Sequence, residues 1–166
     1  MRVPIRKAGA YQNLKADSYL TQDKFLELQN KLKKLKEITR PKWIKEMQVA
    51  ASDGDFSENA SYQIAKAKLR GTNQKIDDLE YLITRAQIIP AKQNNDVVRL
   101  GHKVILLKEE KEFTFHILGA TETNPDLGVI SFSSPLGQAL LGKKVGDIIR
   151  VNLIDRELEY KLINIQ

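Results

Sequence analysis

Ala50-Ala51-Ser52-Asp53-Gly54-Asp55-Phe56-Ser57-Glu58-Asn59-Ala60 is the stretch from which the fold can be read. It is a short acidic turn between two long segments with helical periodicity. Upstream, Phe25, Leu28, Leu32 and Leu35 alternate steps of three and four, the seam of a coiled coil. Pro41 removes a backbone donor and crowds the preceding turn, which predicts a kink or short break near Arg40. Beyond it Ile44, Met47 and Ala51 resume the seam in a shifted phase, and the helix is expected to end at Ser52–Gly54. Downstream, Ala65, Leu69, Thr72, Ile76, Leu79, Ile83 and Ala86 repeat without a slip, predicting a second helix from Asp55–Ser57 to about Gln87. Two helices of roughly 30 residues with so short a link must pack antiparallel, as an arm about 45 Å long.

The first helix has a clear start. Thr21 is a good N-cap, Asp23 suits the positive end of the macrodipole, and Leu20 and Phe25 stand at the two positions of a hydrophobic staple. Residues 1–19 show no sustained period and read as a tail. Gly71 weakens the second helix by about 1 kcal/mol with no evident reason in the sequence. The hairpin domain is therefore expected over residues 20–90, with its acidic tip at 53–59.

After Ile88-Ile89-Pro90 the pattern changes to strands, and residues 91–166 read as a second, globular domain. Val98–Leu107 is an apolar run broken by Gly101-His102-Lys103, and Lys108–Glu112 is a charged turn. Phe113, Phe115 and Ile117 alternate with Thr114, His116 and Leu118 as in a half-buried strand. Further strands are expected at Gly128–Ser133, Ile148–Leu153 and Leu158–Ile163. Ser134 at N-cap, Pro135 at N1 and Gly142 at C′ bracket one short helix. The fold class is α+β: a helical hairpin, then a small, mostly antiparallel sheet with one helix.

Composition narrows the function. No apolar run approaches the roughly 20 residues that span a bilayer, and no apolar stretch follows Arg2, Arg6 and Lys7 as in a secretory signal. Zero cysteines excludes disulfides and thiolate metal sites, and suits a cytoplasmic protein. Residues 1–90 carry 17 Lys+Arg against 11 Asp+Glu, whereas residues 91–166 carry 10 of each. The positive excess thus sits on the hairpin half, favouring an anionic partner there, with a solvated basic surface as the plain alternative. Yet no Lys or Arg occurs between Lys45 and Lys66, where Asp53, Asp55 and Glu58 fall.

Asp55-Phe56-Ser57-Glu58 has two readings. Asp55 can act as N-cap with Glu58 reaching back from N3, a capping box. Alternatively both carboxylates face outward and offer oxygens to a hard cation such as Mg²⁺, whose shell a partner must complete. Lys31, Lys33, Lys34, Lys36, Arg40, Lys42 and Lys45 form a basic stretch suited to phosphate contacts without sequence specificity. His102 and His116 lack a ligand cluster around them and read as sheet or surface residues. Trp43 reads as a packing residue. No Ser/His/Asp set, phosphate-cradling glycine loop or dinucleotide fingerprint is present, so a self-contained enzyme is not expected.

Arg40-Pro41-Lys42-Trp43-Ile44, the tip stretch continued through Ser61-Tyr62, Lys66-Ala67-Lys68-Leu69-Arg70 and Arg85-Ala86-Gln87-Ile88-Ile89 resemble the GreA/GreB family of bacterial transcript-cleavage factors. Ser133-Ser134-Pro135-Leu136-Gly137-Gln138-Ala139-Leu140-Leu141-Gly142-Lys143-Lys144-Val145-Gly146-Asp147 resembles the family's other signature. The resemblance implies an antiparallel coiled coil followed by an FKBP-like domain. It implies bacterial RNA polymerase as partner, with the hairpin entering the secondary channel. There it would stimulate the polymerase's own cleavage of the backtracked nascent RNA 3′ end, without being an enzyme by itself. Asp55 and Glu58 match the tip acids, which would hold a second, weakly bound Mg²⁺ and orient the attacking water. Asp53, Ser57, Asn59 and Tyr62 would shape the tip; Arg40, Lys42 and Lys45 would face RNA or polymerase; Ser134 and Pro135 would dock the globular domain on the channel rim. No other cofactor is implied, and the free chain is expected to be a monomer with no membrane association. Ser61 stands where many relatives have another acid, Leu153-Ile154-Asp155-Arg156 replaces a Pro/Gly-containing turn, and the N-terminal tail is long. The rival reading is a channel-binding regulator that does not promote cleavage; the presence of both Asp55 and Glu58 argues against it.

Overall fold

The structure, a computed structural model, describes residues 18–52, 59–91, 94–152 and 157–166. The chain divides into two units, one over Leu26–Arg85 and one formed by residues 18–25 with 86–166. Both roots of the hairpin, residues 18–25 and 86–90, belong to the same compact unit as the globular part. Of the expected tail, residues 1–17 lie outside the described residues, and Tyr19 is already in a strand. Among the described residues, no helix is long and apolar enough to cross a membrane.

The hairpin consists of α1 (Gln22–Lys34), a π-helical turn (Leu35–Thr39), α2 (Arg40–Ala51) and α3 (Ala60–Thr84). Leu28 and Ala50 are buried on one side, and Ala65, Thr72, Ile76 and Leu79 on the other, at the seam positions expected for α3. The packing is antiparallel: Asn59 bonds Ala50, and farther down Lys36 pairs with Glu80. The break expected at Pro41 takes a particular form. The chain stays helical, but the Arg40 N–H bonds back to the Leu35 oxygen, five residues earlier. That wide turn takes up one extra residue just before the proline, which stands in the first turn of α2. The seam is thereby displaced, and Ala50, not Ala51, becomes the buried residue at the far end. The second helix is shorter than expected at both ends: it begins at Ala60 and stops at Thr84. Gln87, expected as its last residue, lies in a strand.

In the globular unit, β1 (Tyr19–Leu20) and β2 (Gln87–Ile88) form a short parallel pair. The main sheet contains β3 (Lys103–Lys108), β4 (Lys111–Leu118), β5 (Val129–Ser131), β6 (Ile148–Asn152) and β7 (Glu157–Ile165) in the order β5-β4-β3-β7-β6. All pairs are antiparallel except β4 with β5, which a connection through two 3₁₀ turns makes parallel. The turn expected over Lys108–Glu112 is only two residues, Glu109 and Glu110, both at positive φ (48° and 65°) as a type I′ hairpin demands. Helix α4 (Pro135–Leu140) joins the two edge strands. Its Leu140 shares a core with Val104, Leu106, Ile117, Ile149, Val151, Leu162 and Ile165. The sheet thus curls around one helix, the FKBP-like arrangement. Gly137 is where helix meets strand, since a Cβ there would overlap the Ser131 carbonyl oxygen.

His102 is not a surface or strand residue but is buried in the turn ahead of β3. Its Nδ1 accepts the Arg99 N–H (3.2 Å), so the ring hydrogen sits on Nε2, which is buried without a partner among the described residues. His116 lies on β4 with Nε2 3.1 Å from the Gly101 carbonyl oxygen, which fixes it as a donor. Burial, reinforced by the Arg99 charge, pushes the His102 pKa down. Burial is also the main cause of a lowered pKa at His116, with Lys103 adding to it and the Gly101 bond and Glu122 opposing it. Neither histidine belongs to a group of three or more potential metal ligands among the described residues.

Two predictions follow from this packing. Gly71 is exposed in α3 and a Cβ there meets nothing within 4 Å, so Gly71→Ala removes only backbone entropy and should stabilise the hairpin by about 1 kcal/mol in urea melts. The lowered histidine pKa values mean that the unfolded chain binds protons first. Stability should therefore be full above about pH 6.5 and decline below it, by at most about 1.4 kcal/mol per pH unit for each histidine. Urea melts between pH 7.5 and 5.5 should show a shallower decline for His102→Asn.

Candidate functional site

The tip is built on one side chain. Asn59 has extended backbone (φ −81°, ψ 92°) and is the N-cap of α3. Its Oδ1 accepts the Tyr62 N–H at 3.0 Å, and its Nδ2 donates to the Ala50 carbonyl oxygen of α2 at 2.6 Å. The two partners fix the amide's orientation, because the flipped group would set donor against donor and acceptor against acceptor. One residue thus satisfies an open N–H at the start of α3 and an open carbonyl at the end of α2. Ser52 completes that end by donating its hydroxyl to Val49 O at 2.6 Å. Tyr62 is half-buried, with the Lys66 ammonium 5.8 Å from its ring centre.

This overturns one sequence expectation. Asp55 was a candidate N-cap with Glu58 at N3, yet the helix is capped by Asn59, four residues later. Asp53, Asp55, Ser57 and Glu58 themselves lie outside the described residues. So do residues 153–156, where the replaced turn falls.

Below Asn59, Ala50 and Ala65 floor a groove of about 480 Å³ whose sides include Val49, Ile64, Lys45, Glu46 and Ser61. Val49 and Ile64 are 58% and 59% exposed, an apolar pair that the seam pattern passes over because it lies off the seam. Along the first strand of the hairpin, Arg40, Lys42 and Lys45 are all exposed. Lys42 is partly committed: it pairs with Glu46 at 3.8 Å and lies 5.2 Å from the centre of the Trp43 ring. In the globular unit, Ser134 caps α4, accepting the Gly137 N–H at 3.1 Å and donating to Ser131 O at 2.6 Å. Its hydroxyl therefore has a structural occupation, while Pro135 at the first turn is exposed.

Residues 18–88 match the family described as "Transcription elongation factor, N-terminal", and residues 92–166 the one described as "Transcription elongation factor, GreA/GreB, C-term". The chain belongs to the GreA/GreB family. Among its curated relatives, transcription elongation factor GreA of Helicobacter pylori (strain Shi470) is 39% identical over 137 residues, covering 81% of this chain and 84% of that protein. GreA of Wolinella succinogenes is 38% identical over 142 residues, covering 84% and 88%. Among solved structures, GreA factor homolog 1 of Thermus thermophilus is 26% identical and covers 89% of this chain and 97% of its own, with a TM-score of 0.41. The chain is a GreA-type transcription elongation factor. In this member of the GreA/GreB family the second helix starts at an asparagine that also bridges to the first.

The double role of Asn59 can be tested by stability. Asn59→Ala should cost about 1–3 kcal/mol, the sum of a lost cap and a lost interhelical bond. Asn59→Asp keeps an equally good capping oxygen but turns a carboxylate oxygen towards Ala50 O. It should also be less stable than the parent in urea melts; a mere cap would tolerate it.

Proposed function

We propose that this elongation factor acts on bacterial RNA polymerase by inserting the hairpin into the secondary channel and supplying Asp55 and Glu58 to the polymerase's active centre. The observation that carries the reading is the Asn59 bridge. It caps α3 and closes the hairpin, so neither task requires the acids of residues 53–58. Carboxylates near the end of an otherwise basic arm are then available for a ligand outside the chain.

Mg²⁺ fits this donor chemistry. It takes oxygen ligands, keeps several waters and accepts one or two protein carboxylates beside phosphates. Asp55 and Glu58 would hold the ion, with the polymerase completing its shell; when bound, the ion activates a water and stabilises charge on the cleaved phosphate. Asp53, Ser57, Asn59 and Tyr62 shape the segment that presents the acids. Arg40 and Lys45, with Lys42 less free, lend the arm positive charge towards the RNA phosphates, without sequence preference. Exposed Pro135 is the better of the two candidate docking residues on the globular unit, because Ser134 is engaged in its cap. The chain lowers no barrier alone; it completes a site whose other half lies on the polymerase.

The test is RNA cleavage in stalled, backtracked elongation complexes with Mg²⁺. The parent should accelerate cleavage, whereas Asp55→Asn and Glu58→Gln should bind with similar affinity and lose about 100-fold or more in rate, as when a group stabilising transition-state charge is removed. A parent that binds but leaves the cleavage rate unchanged would make the protein a channel regulator instead.

A further inference from the structure

The two edges of the main sheet are finished differently. Along β5 the outer side is covered: Val129 exchanges both backbone bonds with Asn124 (3.0 and 2.9 Å), and the Ser131 carbonyl oxygen takes the Ser134 N–H at 3.0 Å. Along β6 it is open. The Leu162 N–H bonds the Asp147 oxygen at 2.9 Å, and the register then sets Ile149 against Tyr160 and Val151 against Leu158. Bonded pairs recur at every second residue, so the backbone groups of Ile149 and Val151 face β7 while those of Ile148 and Arg150 face outward. Among the described residues no second strand pairs with β6 on that side, and no turn or loop backbone bonds Ile148 or Arg150. A row of open N–H and C=O groups is a template for another extended chain.

A groove of about 560 Å³ follows this edge, lined by Ile148 and Arg150 of β6, Gln138 and Ala139 of α4, and Leu141 and Lys143 just beyond that helix. Ile149 and Val151 share the core with Leu140 of α4, so the side chains of Ile148 and Arg150 stand on the opposite face of the strand. The groove therefore reaches both faces, as only the space beyond the edge can. Ile148, 52% exposed, and Leu141 give it apolar surface. Two cations border it. The Lys143 ammonium has no ion pair among the described residues. Arg150 donates its Nε–H to Glu159 Oε2 at 3.1 Å across the ladder, and its terminal amino groups have no partner among the described residues. The Asp147 carboxylate, the nearest acid in sequence, is engaged by the Lys144 N–H at 2.9 Å.

These features select the occupant. Two copies of this edge, paired antiparallel about its middle, would set Arg150 against its own copy, which like charge disfavours. A helix has its backbone groups bonded internally and has none to offer an open edge. An extended segment with an acid opposite Arg150, and an apolar residue two places on opposite Ile148, meets the open bonds, the cation and the apolar surface together. We propose that the outer edge of β6 is a docking site for an extended acidic segment of another protein, which joins the sheet as an added strand. The inference concerns the globular unit alone and does not depend on the role given to the tip acids.

Backbone amide NMR of the full chain, titrated at low salt, tests it. The probe is a capped, threonine-rich peptide of about seven residues with glutamate two places before valine. It should shift the Ile148 and Arg150 amides saturably, with half-saturation at about 1 mM, and shift Ile149 much less. Replacing the glutamate by lysine should weaken binding at least about tenfold, and Arg150→Glu should reverse the preference. Lys143→Glu, off the ladder, should also weaken the glutamate peptide, and it decides the matter if Arg150→Glu does not fold. Methylating the backbone nitrogen of the peptide's glutamate keeps the charge but removes the donor to the Arg150 carbonyl oxygen, and should abolish the shifts. Equal binding of the methylated peptide overturns strand addition. Equal binding of the glutamate and lysine peptides overturns the acidic partner, and no shift up to about 10 mM peptide overturns both. The same shifts on concentrating the chain alone would make a second copy the occupant. Stronger shifts with oligouridylate would make the groove a nucleic-acid contact, and either result overturns the proposal.

Discussion

A helix leaves backbone groups open at each end, and in this molecule the way those groups are closed organises everything else. Three helices begin at a polar cap, and at each the cap side chain does two things at once. Thr21 accepts from Lys24 and donates to Glu122; Asn59 accepts from Tyr62 and donates to Ala50; Ser134 accepts from Gly137 and donates to Ser131. In each case one bond starts the helix and the other ties its start to a different element. The three junctions are the root of the hairpin, its tip, and the place where α4 meets the sheet. Each helix therefore starts at a position set by another part of the chain.

Between root and tip the constraint is apolar. The seam of α3 keeps its period over the whole helix, whereas the opposing strand of the hairpin must absorb Pro41. It does so by widening one turn rather than breaking. The π turn adds a residue upstream of the proline, so that Ala50 and not Ala51 faces Ala65 in the region of the groove. Small residues on both sides there leave the groove open and Val49 and Ile64 uncovered.

Legibility followed the range of the interaction. Periodicity gave the hairpin and the α4 caps because those depend on neighbours within a turn or two: Leu28, Ile76 and Leu79 are buried where the pattern placed them, and Ser134 caps as its position suggested. The start of α3 was misplaced because Asp55 and Asn59 are both good N-caps, and the choice turns on a partner, Ala50 O, across the hairpin. Gln87 looked helical for the same reason, since only the arrival of Tyr19 and Leu20 makes it a strand. Glu122 carried no pattern at all. Its meaning lies 101 residues away, at a cap whose N3 residue is a lysine. His102 was likewise misread, since its burial depends on the turn that precedes β3 and on Arg99, not on strand alternation.

The same logic bears on the acids at the tip. If Asp55 and Glu58 were a capping box, their charge would be spent on the helix they begin, and the contrast between an acidic tip and a basic shaft would be incidental. Asn59 occupies the cap, so α3 does not need a carboxylate there to start. Concentrating Asp53, Asp55 and Glu58 within six residues carries a cost in mutual repulsion, and the nearest lysines in sequence, Lys45 and Lys66, lie outside the turn. Carboxylates crowded in this way are most readily stabilised by a cation. A hairpin closed by its own asparagine does not need those acids to begin its second helix, and that is the premise of the proposed delivery to polymerase.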